Sequence, residues 1–185
     1  ITSMRFDPHS RSVLTRHDLG RFPGRTLFDR IARIVCEAEC LPRKELFESW
    51  EVARRIRRRL RGRRVVELAA GHGLVAHLLL LLDATSETAV AVDVKPVPSA
   101  ERLAKTLTDH WPRLAGRVER HVGDLATVTV TRGDLLVSVH ACGALSDFVL
   151  DRAVGARACV ALLPCCHDED TCDTGGLLGF LSVPL

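Results

Sequence analysis

The chain has 185 residues, enough for one domain with a sizeable core and little besides. A hydrophobic share of 46% excludes a disordered chain, and the apolar run Leu78–Leu82 is far too short to cross a bilayer. A net charge of +3 points to no particular partner by itself, and an aromatic share of 4% with no tyrosine excludes extensive base stacking of the single-strand-binding kind.

In chain order, residues 1–26 carry Pro8, Gly20, Pro23 and Gly24 and read as an irregular arm. Leu27, Phe28, Ile31, Ile34, Val35 and Ala38 recur at helical spacing until Pro42. Leu46, Trp50, Ala53, Ile56 and Leu60 mark a second helix from Lys44 to Arg61, which Gly62 ends. Short apolar runs then alternate with helical stretches. Val65–Leu68, Ala89–Val94, Val118–Val122, Leu135–Val139 and Cys159–Leu163 read as strands, and Leu74–Leu82, Ser99–Trp111 and Ala144–Val154 as helices between them. Apolar runs without strict alternation suit strands buried on both faces, and the strand–helix rhythm calls for a parallel sheet with right-handed crossovers. The expected fold is α/β, a doubly wound parallel sheet of order 3-2-1-4-5. Residues 1–62 form an arm and helical lid, and 63–185 the core. The antiparallel hairpin that often follows a fifth strand is expected to be missing, since the sequence stops at Leu185.

The segment Val65-Val66-Glu67-Leu68-Ala69-Ala70-Gly71-His72-Gly73-Leu74 reads strand, tight turn, helix. Glycine there lets a cofactor approach the backbone at the carboxyl end of the strand, and the helix start offers free N–H groups. Gly71 through Ala76 also satisfies the dinucleotide pattern G-x-G-x-x-G/A, with Asp93 at the end of the second strand as a ribose-binding acid. A nicotinamide-dependent oxidoreductase is therefore one reading. Glu67 before the turn favours S-adenosyl-L-methionine, because an acid there orients an amino-acid end; Ala69 then replaces the first glycine of E-x-G-x-G-x-G. Asp124 ends the third strand, where it would meet adenine or simply form a Gly-Asp turn.

Two further segments follow strands. They are Asp134 to Asp147, containing His140-Ala141-Cys142-Gly143, and Ala161 to His167, containing Pro164-Cys165-Cys166-His167. Both should project from the same rim as the glycine turn, where open α/β sheets bind ligands. The combination E-x-A-A-G-H-G, H-A-C-G-A-L-S-D and L-P-C-C-H resembles a methyltransferase family that includes the tRNA acceptor-stem 2′-O-ribose methyltransferases. The resemblance covers roughly residues 43–173. It implies S-adenosylmethionine as cofactor, with contacts at Glu67, Gly71, Gly73, Asp93 and Asp124; Ala69, His72 and Val139 are further candidates for the same site. It implies His140 and Cys142 beside the transferred methyl; Cys165, Cys166 and His167 are candidate substrate contacts. Lys44 and Glu48 loosely match the Lys-Lys-x-x-Glu-like helix that often precedes the first strand in that family.

His140 is the candidate proton acceptor, since imidazole titrates near neutral pH. Adjacent Cys165 and Cys166 suit one tetrahedral ion badly, and no C-x-x-C pair is present, so no metal is expected. Arg54, Arg55, Arg57, Arg58, Arg59, Arg61, Arg63 and Arg64 read either as an RNA phosphate surface, with Arg58 and Arg61 contacting substrate, or as a solvated helix face paired with Glu45, Glu48 and Glu51. The sequence thus points to a methyltransferase with RNA as the leading partner, no membrane partner, a cytoplasmic setting and reduced thiols. The alternatives are a small-molecule or protein acceptor, an NAD(P)-dependent oxidoreductase, and a cofactor-binding module without turnover.

Overall fold

A computed structural model describes residues 7–164. Five strands, β1 (Arg64–Leu68), β2 (Thr88–Asp93), β3 (Val118–Val122), β4 (Asp134–Ala141) and β5 (Cys159–Pro164), form one parallel sheet of order 3-2-1-4-5. The helices are α1 (Leu27–Ala38), α2 (Arg43–Arg59), α3 (Leu74–Leu82), α4 (Pro98–His110) and α5 (Ala144–Ala156). The expected elements are all present, with ends shifted by up to two residues. The arm is more regular than expected, because Arg16–Arg21 forms a 3-10 helix held by Asp18, which accepts from the Thr15 N–H and pairs with Arg21. The hairpin expected to be missing lies outside the described residues.

The period of two along the strands sorts the core into two layers. Val65, Ala89, Ala91, Leu135 and Val137 face α1–α4, whereas Val66, Leu68, Val92 and Leu136 face Val149 and Ala153 of α5. The first layer is much the thicker, and it absorbs both N-terminal helices. Helix α1 turns Ile31, Ile34, Val35 and Ala38 inward, starts at Thr26, whose side chain accepts from the Asp29 N–H, and stops where Glu39 turns left-handed. Helix α3 is buried on all sides from Leu74 to Leu81 because it lies between the sheet and α2.

The start of α2 is held by the arm. Pro42 at its cap offers no side-chain acceptor, so the first N–H groups must find oxygen elsewhere. The Arg43 N–H donates to Ser12 O and the Lys44 N–H to Ser10 O, while a bridge joins Val13 to Pro42. The arm is thereby seated beside the carboxyl rim of the sheet. Among the described residues, no helix is long and apolar enough to cross a membrane.

Candidate functional site

The glycine turn follows β1 as expected. Ala69, Gly71 and Gly73 all have positive φ, at 52°, 51° and 72°. A Cβ on Gly71 would project into open space, so the turn leaves a cradle at the rim; one on Gly73 would stand 3.1 Å from the Ala91 methyl, so that position needs glycine for packing as well. Asp93 braces the turn from β2, its Oδ2 accepting from the Gly71 N–H at 2.8 Å while Oδ1 accepts from the Lys95 N–H. Arg120, on β3, donates to Gly71 O from the other side.

A hollow of about 220 Å³ opens beside this turn, lined by Glu67, Ala69, Ala70, Gly71, Leu74, Val75, Val139 and His140, with Glu45 and Ser49 from α2 closing it. Glu67 is almost wholly buried, and its Oε2 accepts from the Ala76 N–H at 2.8 Å. The N–H groups at the start of α3 are therefore less open than expected: one is met by this carboxylate. Burial pushes the Glu67 carboxyl up to about 8, with Glu45 and Asp93 adding like charge and Arg120 and the Ala76 N–H opposing. His77, beneath it, is structural; burial lowers its pKa, and its Nδ1 lies 2.7 Å from Gly73 O.

His72 bridges elements across the rim. Its Nε2 lies 2.9 Å from Ser99 Oγ at the start of α4, and its Nδ1 3.4 Å from Glu45 Oε1. His140, next to last in β4, has φ of +64°, where the pairing with β5 shifts between Val139 and Ala141. A left-handed histidine at a bulge is a strained arrangement that re-aims the side chain. Here it reaches α2, with Nε2 at 3.1 Å from Glu48 Oε2.

Of the expected residues, Glu67, Ala69, Gly71, Val139 and His140 line one hollow, with His72, Gly73 and Asp93 bracing it. Asp124 does not join them. It caps the short 3-10 helix Leu125–Thr127, accepting from the Ala126 N–H, and lines a separate hollow of about 350 Å³ on the α5 side of β1–β3. Cys142 is disulfide-bonded, which corrects the expectation of reduced thiols throughout; it presents no thiol beside His140. Cys36, Cys40 and Cys159 are free, and burial raises the first two to about 11. Cys165, Cys166 and His167 lie outside the described residues. No metal-holding cluster occurs among the described residues.

The arginine run divides. Arg57 is buried, donating to Leu79 O and Ser86 Oγ. Arg54 and Arg55 pair with Glu51, Arg61 with Asp83, Arg63 with Glu87 and Arg64 with Asp134. Arg58 follows on the last turn of α2. This segment leads into the amino end of β1, on the order of 15 Å along the strand from the glycine turn. The sequence reading missed Glu45, Ser49 and Arg120 as parts of the site; the only available signal was the i, i+3, i+4 spacing of Glu45, Glu48 and Ser49 on α2.

A parallel sheet of this order, with a glycine turn after β1 and an acid after β2, defines a Rossmann-like α/β domain, a fold whose ligands generally bind at the carboxyl rim. Residues 45–171, more than half of the chain, match the family model described as a methyltransferase domain, and the chain belongs to that family. Among solved structures it is similar to an O-methyltransferase family protein from Burkholderia thailandensis, at 21% identity and a TM-score of 0.50, covering 91% of this chain and 50% of that one. It is also similar to an uncharacterized protein from Listeria monocytogenes serotype 4b (18%, TM-score 0.49, covering 63% and 50%). A third is a protein in the NADB-Rossmann superfamily from Streptococcus agalactiae (15%, TM-score 0.47, covering 65% and 54%). The chain spans about half the length of these structures. No curated protein matches the sequence.

Proposed function

We propose that this domain binds S-adenosylmethionine at the glycine turn and transfers its methyl group to an O–H or N–H acceptor. The observation that carries the reading is Glu67. A dinucleotide needs the helix start for its pyrophosphate, and the buried Glu67 carboxyl already takes the Ala76 N–H there and adds like charge whenever it ionises. The same carboxylate suits the ammonium of an amino-acid end. The fit extends along the rim: the open cradle at Gly71 admits a ligand against the backbone, and Asp93 keeps lone pairs for ribose hydroxyls while bracing the turn.

When bound, the cofactor supplies a methyl carbon on a sulfonium sulfur; its transfer leaves a neutral thioether, and the acceptor's proton must pass to a base. The chain's own part is to align the partners, exclude water and take that proton. His140 borders the hollow and is the base in this reading.

The acceptor class is where the arginine run bears. Six of its eight side chains engage carboxylates, hydroxyl or backbone, and the run sits at the opposite end of β1 from the donor site. RNA binding through Arg58 and Arg61 is thus a reading of the surface away from the chemistry, and a salt-sensitive affinity for tRNA is its own test. For the donor site, calorimetric titration with S-adenosylhomocysteine and with NADH decides. Binding of adenosylhomocysteine, followed by tritium-methyl transfer to one of the RNA, protein or metabolite fractions of an extract, is expected. Binding of NADH alone would overturn the proposal.

A further inference from the structure

A second hollow, of about 290 Å³, adjoins the donor hollow and shares Glu45 and His140 with it. Its other walls are Pro42, Lys44 and Glu48 at the start of α2, and Arg11 on the arm. The arm's bonds to Arg43 and Lys44 hold Arg11 and α2 on either side of the opening. Arg11 is exposed.

His140 stands between the two hollows, and its strained backbone puts it there. Glu48 faces it. The Oε2 atom of Glu48 is screened from solvent and accepts no well-aligned hydrogen bond, yet lies only 3.1 Å from Nε2 of His140. A slight rotation completes that bond. A carboxylate against Nε2 favours the proton on that nitrogen and fixes the ring, the role an orienting carboxylate plays beside a histidine base. Lys44, 3.5 Å from the other Glu48 oxygen, holds the carboxylate in turn.

We infer that the methyl acceptor enters through this second hollow and that Glu48 is a positioning residue that orients His140 between acceptor and donor. The inference rests on reading the glycine turn as the S-adenosylmethionine site. The hollow lies near the lower end of the ~300–1,000 Å³ typical of ligand pockets, so it takes a small molecule or one small head group. Two cations, Arg11 and Lys44, and two carboxylates, Glu45 and Glu48, line it. This mixture suits a polar acceptor with both donors and acceptors of hydrogen bonds and does not suit a purely anionic backbone. The proton given up by the acceptor passes to His140.

The test compares Glu48→Gln, Glu48→Asp and Arg11→Trp with the unaltered chain, using adenosylhomocysteine calorimetry and tritium-methyl transfer to the acceptor fraction that the unaltered chain labels. Glu48→Gln is expected to lose ~100-fold in turnover with KM and adenosylhomocysteine affinity nearly unchanged, and Glu48→Asp to recover part of the loss. Arg11→Trp fills the hollow from an exposed position and is expected to raise the acceptor KM roughly tenfold, sparing adenosylhomocysteine. Unchanged turnover in Glu48→Gln, or unchanged KM in Arg11→Trp, would overturn the inference. Imidazole ¹H–¹⁵N spectra of the ligand-free chain need no acceptor: neutral His140 should be the Nε2–H tautomer, shifting toward a mixture in Glu48→Ala. An Nδ1–H tautomer in the unaltered chain would overturn the role of Glu48. Absence of adenosylhomocysteine binding would instead sink the donor reading, and the tautomer would still report on Glu48.

Discussion

Ala69 shows how one residue records the demands of the site. It occupies a left-handed backbone position at the lip of the donor hollow, with φ of 52°. A side chain there costs about 1–2 kcal/mol, which glycine avoids, although glycine gives back roughly half of that in unfolded-state entropy. Ala69→Gly is therefore expected to raise stability by about 0.5–1 kcal/mol, read as a shift in the urea midpoint at constant slope. A loss of stability would mean that the methyl packs favourably enough to outweigh the backbone term. Asp93 has the opposite character, because its carboxylate braces Gly71 and, in the proposed reading, also receives the ribose hydroxyls. Asp93→Ala should weaken adenosylhomocysteine binding by ~1–3 kcal/mol in calorimetry through lost charge-assisted bonds. Unchanged affinity would remove Asp93 from the cofactor site.

Helix α2 does two jobs, and its halves must be judged separately. Its last turn packs Arg57 against α3, where burial lowers the guanidinium pKa and Asp83 opposes the shift; its bonds go to Leu79 O and Ser86 Oγ. Arg57→Met removes those bonds but keeps the stem, and is expected to cost about 2–3 kcal/mol of stability by denaturant titration. Arg55→Ala, at an exposed pair with Glu51, should stay within about 0.5 kcal/mol. Equal effects would contradict the division of the run into buried and solvated members. The spacing along α2 carried that division, since Arg57 falls four residues after Ala53 on the face of Leu46 and Trp50, whereas Arg55 falls on the opposite face. The sheet order and the helices were legible, since the valine- and alanine-rich strands and the stripe on α1 follow directly from burial on two faces or one. The rim was legible where short motifs mark strand ends, at Glu67, Gly71, Gly73, Asp93 and the end of β4. Glu45, Glu48 and Ser49 lie some 20 residues before β1, and their approach to His140 depends on how α2 packs against α3, a tertiary fact with no local signal.

Across the whole molecule, the buried Glu67 is a liability that a bound ammonium should relieve. Glu67 ties strand β1 to helix α3 from inside the core, and burial raises its carboxyl from 4.5 to about 8. The folded chain therefore keeps a proton that the unfolded chain releases, and stability falls as pH rises through the window between those two values. The groups facing it divide in sign: Glu45 on α2 and Asp93 on β2 deepen the penalty, and Arg120 on β3 lessens it. An ammonium placed against Glu67 would favour the ionised form, so adenosylhomocysteine should bind with release of close to one proton near neutral pH. Calorimetry in two buffers of different ionisation enthalpy measures that number directly. Glu67→Gln should remove both the proton release and the fall in stability between pH 6 and 8, while weakening adenosylhomocysteine, because a neutral amide cannot pair with the ammonium. A ligand that binds Glu67→Gln as tightly as the unaltered chain, with the same proton release, would show that its amino-acid end lies elsewhere, and the charge argument that separates this domain from a dinucleotide binder would no longer hold.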